Sequence, residues 1–555
     1  MQIADRYRIE PTPAAELQQP AGRKPRARRR PKGTPTHVRS WQLRPNAAQY
    51  PETRTRFFTG IRVYNALLGE FLARSRTVKS DPAWEVACEM PRRTPVERKA
   101  RAAAFAAVEQ AYGFTVNSAQ SFASALRKSW VREHLPAQET QNLGARVFDA
   151  VKRWHVGRKG KPRFKPMSRG LHSLSANDGN GALRPNVDRH GRLVGLQWGA
   201  GFVIPIAKPA QSGRRGKEQR AELAEIEALI AAGKVLYTRI VRTVINGRDT
   251  YCMQLVCDGH PPRRHPVGDG RVSLDLGPSE IAIAVERSDG KWTGWVEPLA
   301  DRINLDTARL HRAQRHLDRQ HRAGSPGCFY PDGTHIPDRC DWQRSRSAEH
   351  TKTQVAELHR RLAQHRKTLH GTLANRLFAH GASIACEKLD YVAWQKNFPR
   401  SVRDRAPGTL VEMIRRKSES AGGERLYEYN PQTTALSQTC LCGNRKKKLL
   451  SQRVHRCECG ITEHRDLFSA YLGLHVRTGT DGPDRLDLEA ANTGWLHRQD
   501  IDGCRAPAVA SSKRRGRRHP PTRRSVARIK ARRAAKRQSR SARTSTTNRP
   551  TALLA

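Results

Sequence analysis

Val272-Ser273-Leu274-Asp275-Leu276-Gly277 is an apolar run that places one carboxylate inside a predicted β-strand. Two more acids have comparable settings, because Glu387 ends the apolar run 383–387 and Asp466 begins a helical pattern. A carboxylate among apolar residues is costly unless a partner offsets its desolvation, and a divalent cation is the most effective partner. Together the three acids predict a two-metal phosphodiester site built from separate elements. For any one of them alone, an ordinary surface position is an alternative.

The order of elements around these acids predicts an α/β core. A basic helix is expected from 304 to 322, followed by a long amphipathic helix and then by the strand that ends at Glu387. Before them, turn signals separate three short apolar segments and predict a β-meander over 272–276, 281–285 and 291–296. Meander, helices and acid-bearing strand follow in the order expected of an RNase H-like fold.

The composition indicates the partner. The 555 residues include 102 Lys and Arg against 51 Asp and Glu, which gives a formal net charge of +51 and a pI of about 11.0. A positive field attracts polyanions, so nucleic acid is the expected partner. Apolar runs stay below the roughly 18 residues that span a bilayer, and the N-terminus lacks the order of a secretory signal. The sequence therefore predicts a soluble intracellular protein without a membrane partner.

Changes of pattern divide the rest of the chain. Residues 1–36 are rich in Pro, Ala and Arg and are expected to be a disordered basic tail, as are residues 482–555 with their Lys/Arg blocks. Apolar residues at three- and four-residue steps predict a helical domain over 57–156. Alternating segments with turn signals then predict a small β-barrel over 157–268.

A cysteine cluster predicts a zinc ribbon. Thiolate pairs on two tight turns, each followed by glycine, can form a tetrahedral Zn²⁺ site. One residue separates the thiols of each pair instead of the usual two, which leaves His455 as a possible substitute ligand and a metal-free ribbon as an alternative. Cys328 and Cys340 flank His335 at a wider spacing that favours chance over a site. The four predicted ligands are Cys440, Cys442, Cys457 and Cys459.

A basic segment between the helical domain and the barrel predicts contact with nucleic acid. Cations can follow a phosphate backbone while an aromatic ring stacks on a base. A solvated basic turn is the alternative. The residues concerned are Arg158, Lys159, Lys161, Arg163, Phe164 and Lys165.

These segments together resemble the TnpB transposon nucleases and the compact type V CRISPR effectors descended from them. The resemblance covers residues 40–480. Its specificity lies in the order and spacing of the motifs. The matching residues are Arg62-Val63-Tyr64-Asn65, Gly160-Lys161-Pro162-Arg163-Phe164-Lys165, Leu274-Asp275-Leu276-Gly277, Ile384-Ala385-Cys386-Glu387-Lys388-Leu389, Thr434 with Ser437-Gln438-Thr439-Cys440, and His464-Arg465-Asp466.

The resemblance implies a multidomain α/β protein in which a RuvC domain contains an inserted zinc ribbon. It implies a guide RNA and a target DNA duplex with a short flanking motif (PAM) as partners, bound by a monomeric ribonucleoprotein. Asp275, Glu387 and Asp466 carry over as Mg²⁺ ligands and catalytic residues, and Arg62, Tyr64 and Asn65 as nucleic-acid contacts. The implied domains are a wedge segment 37–56, a recognition domain 57–156, a β-barrel wedge 157–268, RuvC parts 269–430 and 463–481, and a zinc ribbon 431–462 that binds target nucleic acid.

The third acid departs from the pattern of active relatives. They usually have Asp-Arg-Asp followed by a small Asn-Ala-Ala segment, whereas this chain has His464 and Phe468. A histidine weakens the local negative charge and Phe468 adds bulk, so both changes are expected to disfavour a second Mg²⁺. The His-Arg-Asp variant resembles the V-M subtype, which implies guided target binding and transcriptional silencing in the prokaryotic cytoplasm and nucleoid, with weak or no DNA cleavage.

Two other functions fit parts of the sequence. An active guided endonuclease would use the same three acids. A non-guided packaging protein would account for the net charge of +51, but it needs neither acids in strands nor a cysteine ribbon.

Overall fold

The computed structural model describes residues 34–167, 170–176, 181–336, 342–343, 345–421, 426–449, 451–477 and 482–499. Most of both predicted tails, residues 1–33 and 500–555, lies outside this set, and so does Cys340. Within it, no helix has both the length and the apolar composition needed to cross a bilayer. The described chain divides into two compact units, one with residues 34–269, 299–384 and 390–427, the other with 270–298, 385–389 and 428–499.

The first unit begins with a strand and a group of helices. Helix α1 buries one face because its apolar residues recur at the predicted three- and four-residue steps, including Phe57, Ile61 and Leu68. Thr94 is the N-cap of α3 and forms a capping box with Glu97, so the start of this helix is encoded locally in the sequence. The elements are β1 (Thr36–Leu43), α1 (Gln49–Lys79), α2 (Pro82–Glu89), α3 (Pro95–Ala111), α4 (Val116–Arg127) and α5 (Ala137–His155).

Two antiparallel sheets follow in the same unit. One has the order β1-β7-β6-β2 and the other β3-β4-β5. Asn246 and Gly247 join β6 to β7 with positive φ angles of 49° and 76°, as a two-residue hairpin requires. Closure into the predicted barrel stays a prediction. The elements are β2 (Ser173–Ser175), β3 (Leu183–Val187), β4 (Leu193–Trp198), β5 (Val203–Pro205), α6 (Gly213–Ala231), β6 (Val235–Ile245) and β7 (Arg248–Asp258).

One hydrophobic core joins these helices and sheets. Phe57 of α1 packs against Trp198 of β4 with ring centroids 5.9 Å apart. The group of helices and both sheets contribute buried residues to this core. The helix that carries Phe57 begins at Gln49, inside the segment 37–56 that the resemblance assigned to the wedge. The remaining helices of the unit are α7 (Asn304–Gly324), α8 (Arg346–His380), α9 (Tyr391–Asn397), α10 (Pro399–Arg405) and α11 (Pro407–Ala421).

The meander predicted around Asp275 forms three adjacent strands of a five-stranded sheet with the order β10-β9-β8-β11-β12, in which β8 is the central strand. Strands β8 and β9 pair antiparallel, and their burial is nearly continuous because both faces are covered. The elements are β8 (Arg271–Leu276), β9 (Glu280–Glu286), β10 (Trp292–Pro298), β11 (Ser383–Glu387), β12 (Tyr427–Tyr429), α12 (Pro431–Thr434), β13 (Val454–Arg456), β14 (Thr462–His464), α13 (Arg465–Gly473), β15 (Val476–Arg477), β16 (Arg485–Leu486) and α14 (Leu488–Trp495).

Helix α13 packs closely on this sheet through two glycines. A Cβ atom at Gly294 would lie 2.6 Å from Leu467 Cδ1, and one at Gly473 would lie 2.7 Å from the Tyr429 hydroxyl oxygen. Contacts that short leave no room for a larger side chain at either position. The glycines therefore set the distance between the sheet and the helix that carries Asp466.

Residues 482–499, which we call the C-terminal latch, are ordered, so the prediction of a disordered tail from residue 482 is wrong for this part. They form β16 and α14, and Gln499 N donates to Trp292 O at 2.8 Å while Trp292 N donates to His497 O at 3.2 Å. Asn492 Nδ2 donates to Leu441 O at 2.9 Å, so the latch also holds the ribbon. Its apolar and aromatic residues are diluted by polar ones in the sequence, and its partners lie far away along the chain, so no local pattern indicated order.

Candidate metal centres and nucleic-acid interface

Three elements of the second unit carry the predicted acids. Asp275 lies in β8, Glu387 ends the neighbouring strand β11, and Asp466 lies in the first turn of α13. All three residues are half-buried as a whole, whereas the carboxyl groups of Asp275 and Glu387 are themselves desolvated. Among the described residues, the acids are not a group whose ligand atoms all lie within 4.8 Å of one another. Ligands of two ions about 4 Å apart can lie further from one another than the ligands of a single ion. The spacing of the three acids is therefore compatible with a two-metal site.

The carboxylates are close enough to repel one another. Burial raises the pKa of Asp275 well above its ordinary range, and the negative charges of Glu387 and Asp466 raise it further. Burial likewise raises the pKa of Glu387, while Arg465 lowers it and Asp466 raises it. Crowded oxygens that resist ionisation are stabilised by a cation, and hard divalent cations prefer oxygen ligands. The donor set therefore fits Mg²⁺.

Two arginines also reach this site. Arg453 Nη1 donates to Asp466 Oδ2 at 2.8 Å, and the Asp466 side chain is 22% exposed. Arg465 lowers the pKa of both other acids, and its Nη1 donates to Leu449 O at 3.0 Å. Arg453 was missed in the sequence because its partner lies 13 residues away across a hairpin. One of the three acids thus has a protein cation as its partner.

The residues that depart from the family pattern have structural roles. His464 is the N-cap of α13, where its Nδ1 accepts from Leu467 N at 3.4 Å. Phe468 is 1% exposed and its ring lies 4.4 Å from that of His455 and 5.3 Å from that of Trp495. Phe468 thus packs in an aromatic cluster with His455 and Trp495, and its effect on metal binding stays a prediction.

Ser469 is the residue of α13 that faces Asp275. Its hydroxyl is near enough to the Asp275 carboxyl to lower the pKa of that acid against the dominant effect of burial. Helical spacing could have identified it, because residues three apart lie on the same face and Ser469 is three residues after Asp466.

The four predicted cysteines converge. Their sulfur atoms all lie within 4.8 Å of one another, with Cys440 and Cys459 Sγ 3.5 Å apart and Cys442 and Cys457 Sγ also 3.5 Å apart. Each pair lies on a turn closed by a glycine, and Gly443 and Gly460 have φ angles of 81° and 92°. Four thiols at this spacing fit a tetrahedral Zn²⁺ ion. The single residue between the thiols does not prevent the geometry.

His455 is not part of the sulfur group. Its Nδ1 contacts Lys448 Nζ, its ring stacks on Phe468, and burial with the nearby Lys448 charge lowers its pKa to about 4. The alternative that His455 replaces a thiol is therefore not supported. In the other cysteine segment, Cys328 is disulfide-bonded.

The basic segment 158–165 is attached to helix α1. Asn65 Nδ2 donates to Lys165 O and Lys165 N donates to Asn65 Oδ1, both at 2.9 Å, and Lys165 Nζ lies 4.8 Å from the Tyr64 ring centre. Phe164 is 57% exposed, as a stacking residue must be. Arg62 instead lies over Trp130 at 5.2 Å. The structure thus joins Tyr64 and Asn65 to the segment. Arg158, Lys159, Lys161 and Arg163 are exposed.

Residues 408–472 match the family model described as Cas12f1-like, TNB domain. A Cas12f1 solved by cryo-EM with sgRNA and target DNA is 11% identical, with a TM-score of 0.41 over 80% of this chain and 99% of that chain. A CRISPR-Cas12f ternary complex is 13% identical, with a TM-score of 0.27 over 76% of this chain and 82% of that chain. Comparison with curated proteins gives no match. The family match spans the four cysteines and Asp466.

Proposed function

We propose that this chain is a guide-RNA-directed DNA-binding effector of the compact type V class. The observation that carries the proposal is the family match over 408–472, a segment that holds four clustered sulfurs and ends in the helix bearing Asp466. That helix brings Asp466 within electrostatic reach of Asp275 and Glu387. A zinc ribbon placed between the second and third acids of an RNase H-like sheet has no purpose in a packaging protein.

In this proposal the guide RNA supplies sequence specificity by base pairing. The protein reads a short flanking motif on the duplex and stabilises the R-loop. The positive charge and the exposed Phe164 support a backbone-binding surface. The particle is a monomeric ribonucleoprotein in the prokaryotic cytoplasm, associated with the nucleoid when bound to DNA.

We place the chain with the V-M subtype, which silences transcription with weak or no cleavage. Asp275, Glu387 and Asp466 would hold Mg²⁺, which would activate water and stabilise the leaving oxygen. Two observations support weak cleavage. His464 caps α13 at the position where active relatives have an acid, and Arg453 donates a hydrogen bond to the Asp466 carboxylate. Both reduce the negative charge available to a second ion.

An active endonuclease is the second candidate. Phe468 packs into the aromatic cluster, so it leaves the acids unobstructed. Asp275 and Glu387 also retain the mutual repulsion that a cation relieves. Cleavage therefore stays open to the experiment.

The test begins with the RNA that copurifies with the protein. A single repeat-derived species supports a guide, whereas a random mixture supports packaging. That RNA is then synthesised with a replaced spacer, and binding is measured against matched and mismatched duplexes with a randomised flank. Binding that ignores the spacer sequence refutes the proposal.

Cleavage is measured separately with the same duplexes in Mg²⁺. Uncut DNA that is bound in a guide-dependent way supports silencing, and efficient cutting selects the endonuclease. In that case Asp275→Ala should abolish cutting and spare binding. Asp289→Ala is a matched control, because Asp289 is a half-exposed acid in the β9–β10 turn of the same unit.

A further inference from the structure

Three cations that no sequence motif links lie close together where the segment 158–165 ends. They are Arg146 on α5, Lys165 at the end of the segment and Arg239 on β6. Only Lys165 was predicted to contact nucleic acid. Arg146 and Arg239 belong to elements whose sequence patterns indicate packing and strand pairing.

The backbone fixes where Arg146 and Arg239 lie. Arg146 Nη1 donates to Ser173 O at 2.7 Å. Arg239 is the register partner of Ser175 two residues further along β2. Asn142, one helical turn before Arg146, donates from Nδ2 to Ser175 O at 2.6 Å. The short strand β2 thus holds the Arg146 guanidinium and the Arg239 backbone at positions two residues apart.

Lys165 is brought to the same place by α1. The paired hydrogen bonds with Asn65 fix its backbone, and its Nζ lies 4.8 Å from the centre of the Tyr64 ring. Tyr64 is 8% exposed and is close enough to Arg146 for that charge to lower its pKa against the larger raising effect of burial. The tyrosine is therefore near both the lysine and the arginine.

No acid of the described residues forms an ion pair with these three cations, whereas Arg242 and Arg360 elsewhere in the chain each pair with a carboxylate. The Arg239 Nε atom is buried and has no hydrogen-bond partner in the described chain. The pKa of Arg146 is lowered by burial and further by Arg239, and the pKa of Lys165 by burial and further by Arg146. Unbalanced like charges at close range are stabilised by an anion.

We propose that Arg146, Lys165 and Arg239 form a binding site for one phosphate group of a nucleic-acid backbone. The guanidinium groups supply paired donors that match phosphate oxygens, and the ammonium group supplies a point charge. Phe164 precedes Lys165 and is 57% exposed, so a base next to the bound phosphate can stack on it. The assignment of the backbone to guide RNA or target DNA rests on the proposed function, whereas phosphate binding itself does not.

The experiment uses the full-length protein and compares Arg146→Gln, Arg239→Gln and the double variant with Arg214→Gln. Arg214 has a 93% exposed side chain on α6, so its loss removes one positive charge, as each single variant does, without touching the site. The first probe is inorganic sulfate, whose effect on the melting temperature is compared with chloride at equal ionic strength. We expect sulfate to stabilise the wild type and the control, and the double variant to lose that gain.

The second probes are a 20-base-pair DNA duplex and a 20-nucleotide RNA of arbitrary sequence. Removing a phosphate contact should reduce the slope of log K against log salt by about 0.9 for duplex DNA or about 0.7 for a single strand. A slope that falls only for RNA assigns the phosphate to RNA, and one that falls only for DNA assigns it to DNA. If both single variants give the same sulfate stabilisation and the same salt slopes as Arg214→Gln, the site is overturned.

Folding is controlled by Arg146→Lys and Arg239→Lys, which keep the charge. If the glutamine variants do not fold, the lysine variants decide: a retained salt slope with weaker sulfate stabilisation supports the site, and unchanged sulfate stabilisation overturns it. Neither probe needs a guide. Loss of guide-directed binding with an intact sulfate effect would reject the proposed function and leave this site standing.

Discussion

Replacing Trp495 with alanine tests whether the C-terminal latch holds the acid-bearing helix. The Trp495 ring centre lies 5.2 Å from that of Trp292, 5.3 Å from that of Phe468 and 4.9 Å from that of Tyr471. Each aromatic pair contributes about 0.5–1.5 kcal/mol beyond simple burial, so three pairs contribute about 1.5–4.5 kcal/mol. Because Trp495 is half-buried, we expect its truncation to lower the local free energy of unfolding by about 3 kcal/mol.

Hydrogen exchange measured by mass spectrometry is the suitable assay, because a multidomain chain has no single unfolding free energy. A loss of about 3 kcal/mol corresponds to an opening equilibrium about 100-fold more favourable, and hence to exchange about 100-fold faster. The acceleration should appear in peptides from α13 and from β10, which contains Trp292. Peptides from the first unit should exchange at the wild-type rate.

Leu496→Ala is the matched control, because Leu496 is the next residue and is 82% exposed. Such surface substitutions change stability by at most about 0.5 kcal/mol. If Trp495→Ala and Leu496→Ala give the same exchange rates in α13, the latch does not support that helix. The aromatic cluster would then be an incidental contact.

Three other predictions concern different parts of the molecule. Glu139 is fully buried and burial raises its pKa to about 8, so its stabilising contribution is present below the unfolded pKa and is lost as pH rises from about 4.5 towards 8. Glu139→Gln should therefore gain local stability over the wild type, by about 3 kcal/mol at pH 7 and little at pH 4, in hydrogen exchange of α5 peptides; a pH-independent difference would contradict this. Elemental analysis should find zinc in the wild type and in His455→Ala but not in Cys442→Ser, and zinc loss in both variants would restore His455 as a ligand. Arg453→Gln should bind Mn²⁺ more tightly in electron paramagnetic resonance titrations, because Asp466 loses its protein cation, and unchanged affinity would exclude competition between them.

The sequence was sufficient to predict the acid-bearing elements because their signals are local. Asp275 interrupts an apolar run short enough to be a strand, and Glu387 ends another, so two-residue periodicity and length identify both. The four cysteines were predictable for the same reason, since two pairs with flanking glycines define two turns.

Contacts between distant segments were not predictable in this way. The surroundings of Phe468 depend on Trp495 and His455, which belong to the latch and the ribbon. Their rings provide no periodic signal, so the sequence alone suggested that Phe468 would crowd the acids. Arg146 and Arg239 were missed for a similar reason, because only the pairing of β2 with β6 brings them together.

The three carboxylates are not equivalent, and this difference connects the site to the proposed weak cleavage. Asp275 and Glu387 resist ionisation because they are buried and repel each other, so a first cation relieves the largest cost there. Arg453 Nη1 already donates to Asp466 Oδ2 at 2.8 Å, so a second ion would compete with this guanidinium for the carboxylate. In-line cleavage by a two-metal site needs both ions. A chain that holds the first ion readily and the second ion weakly would bind its target and cut it slowly. If Arg453 limits cleavage, Arg453→Gln should increase both the Mn²⁺ affinity and the rate of cutting. If His464 limits cleavage, the Mn²⁺ affinity should rise without faster cutting.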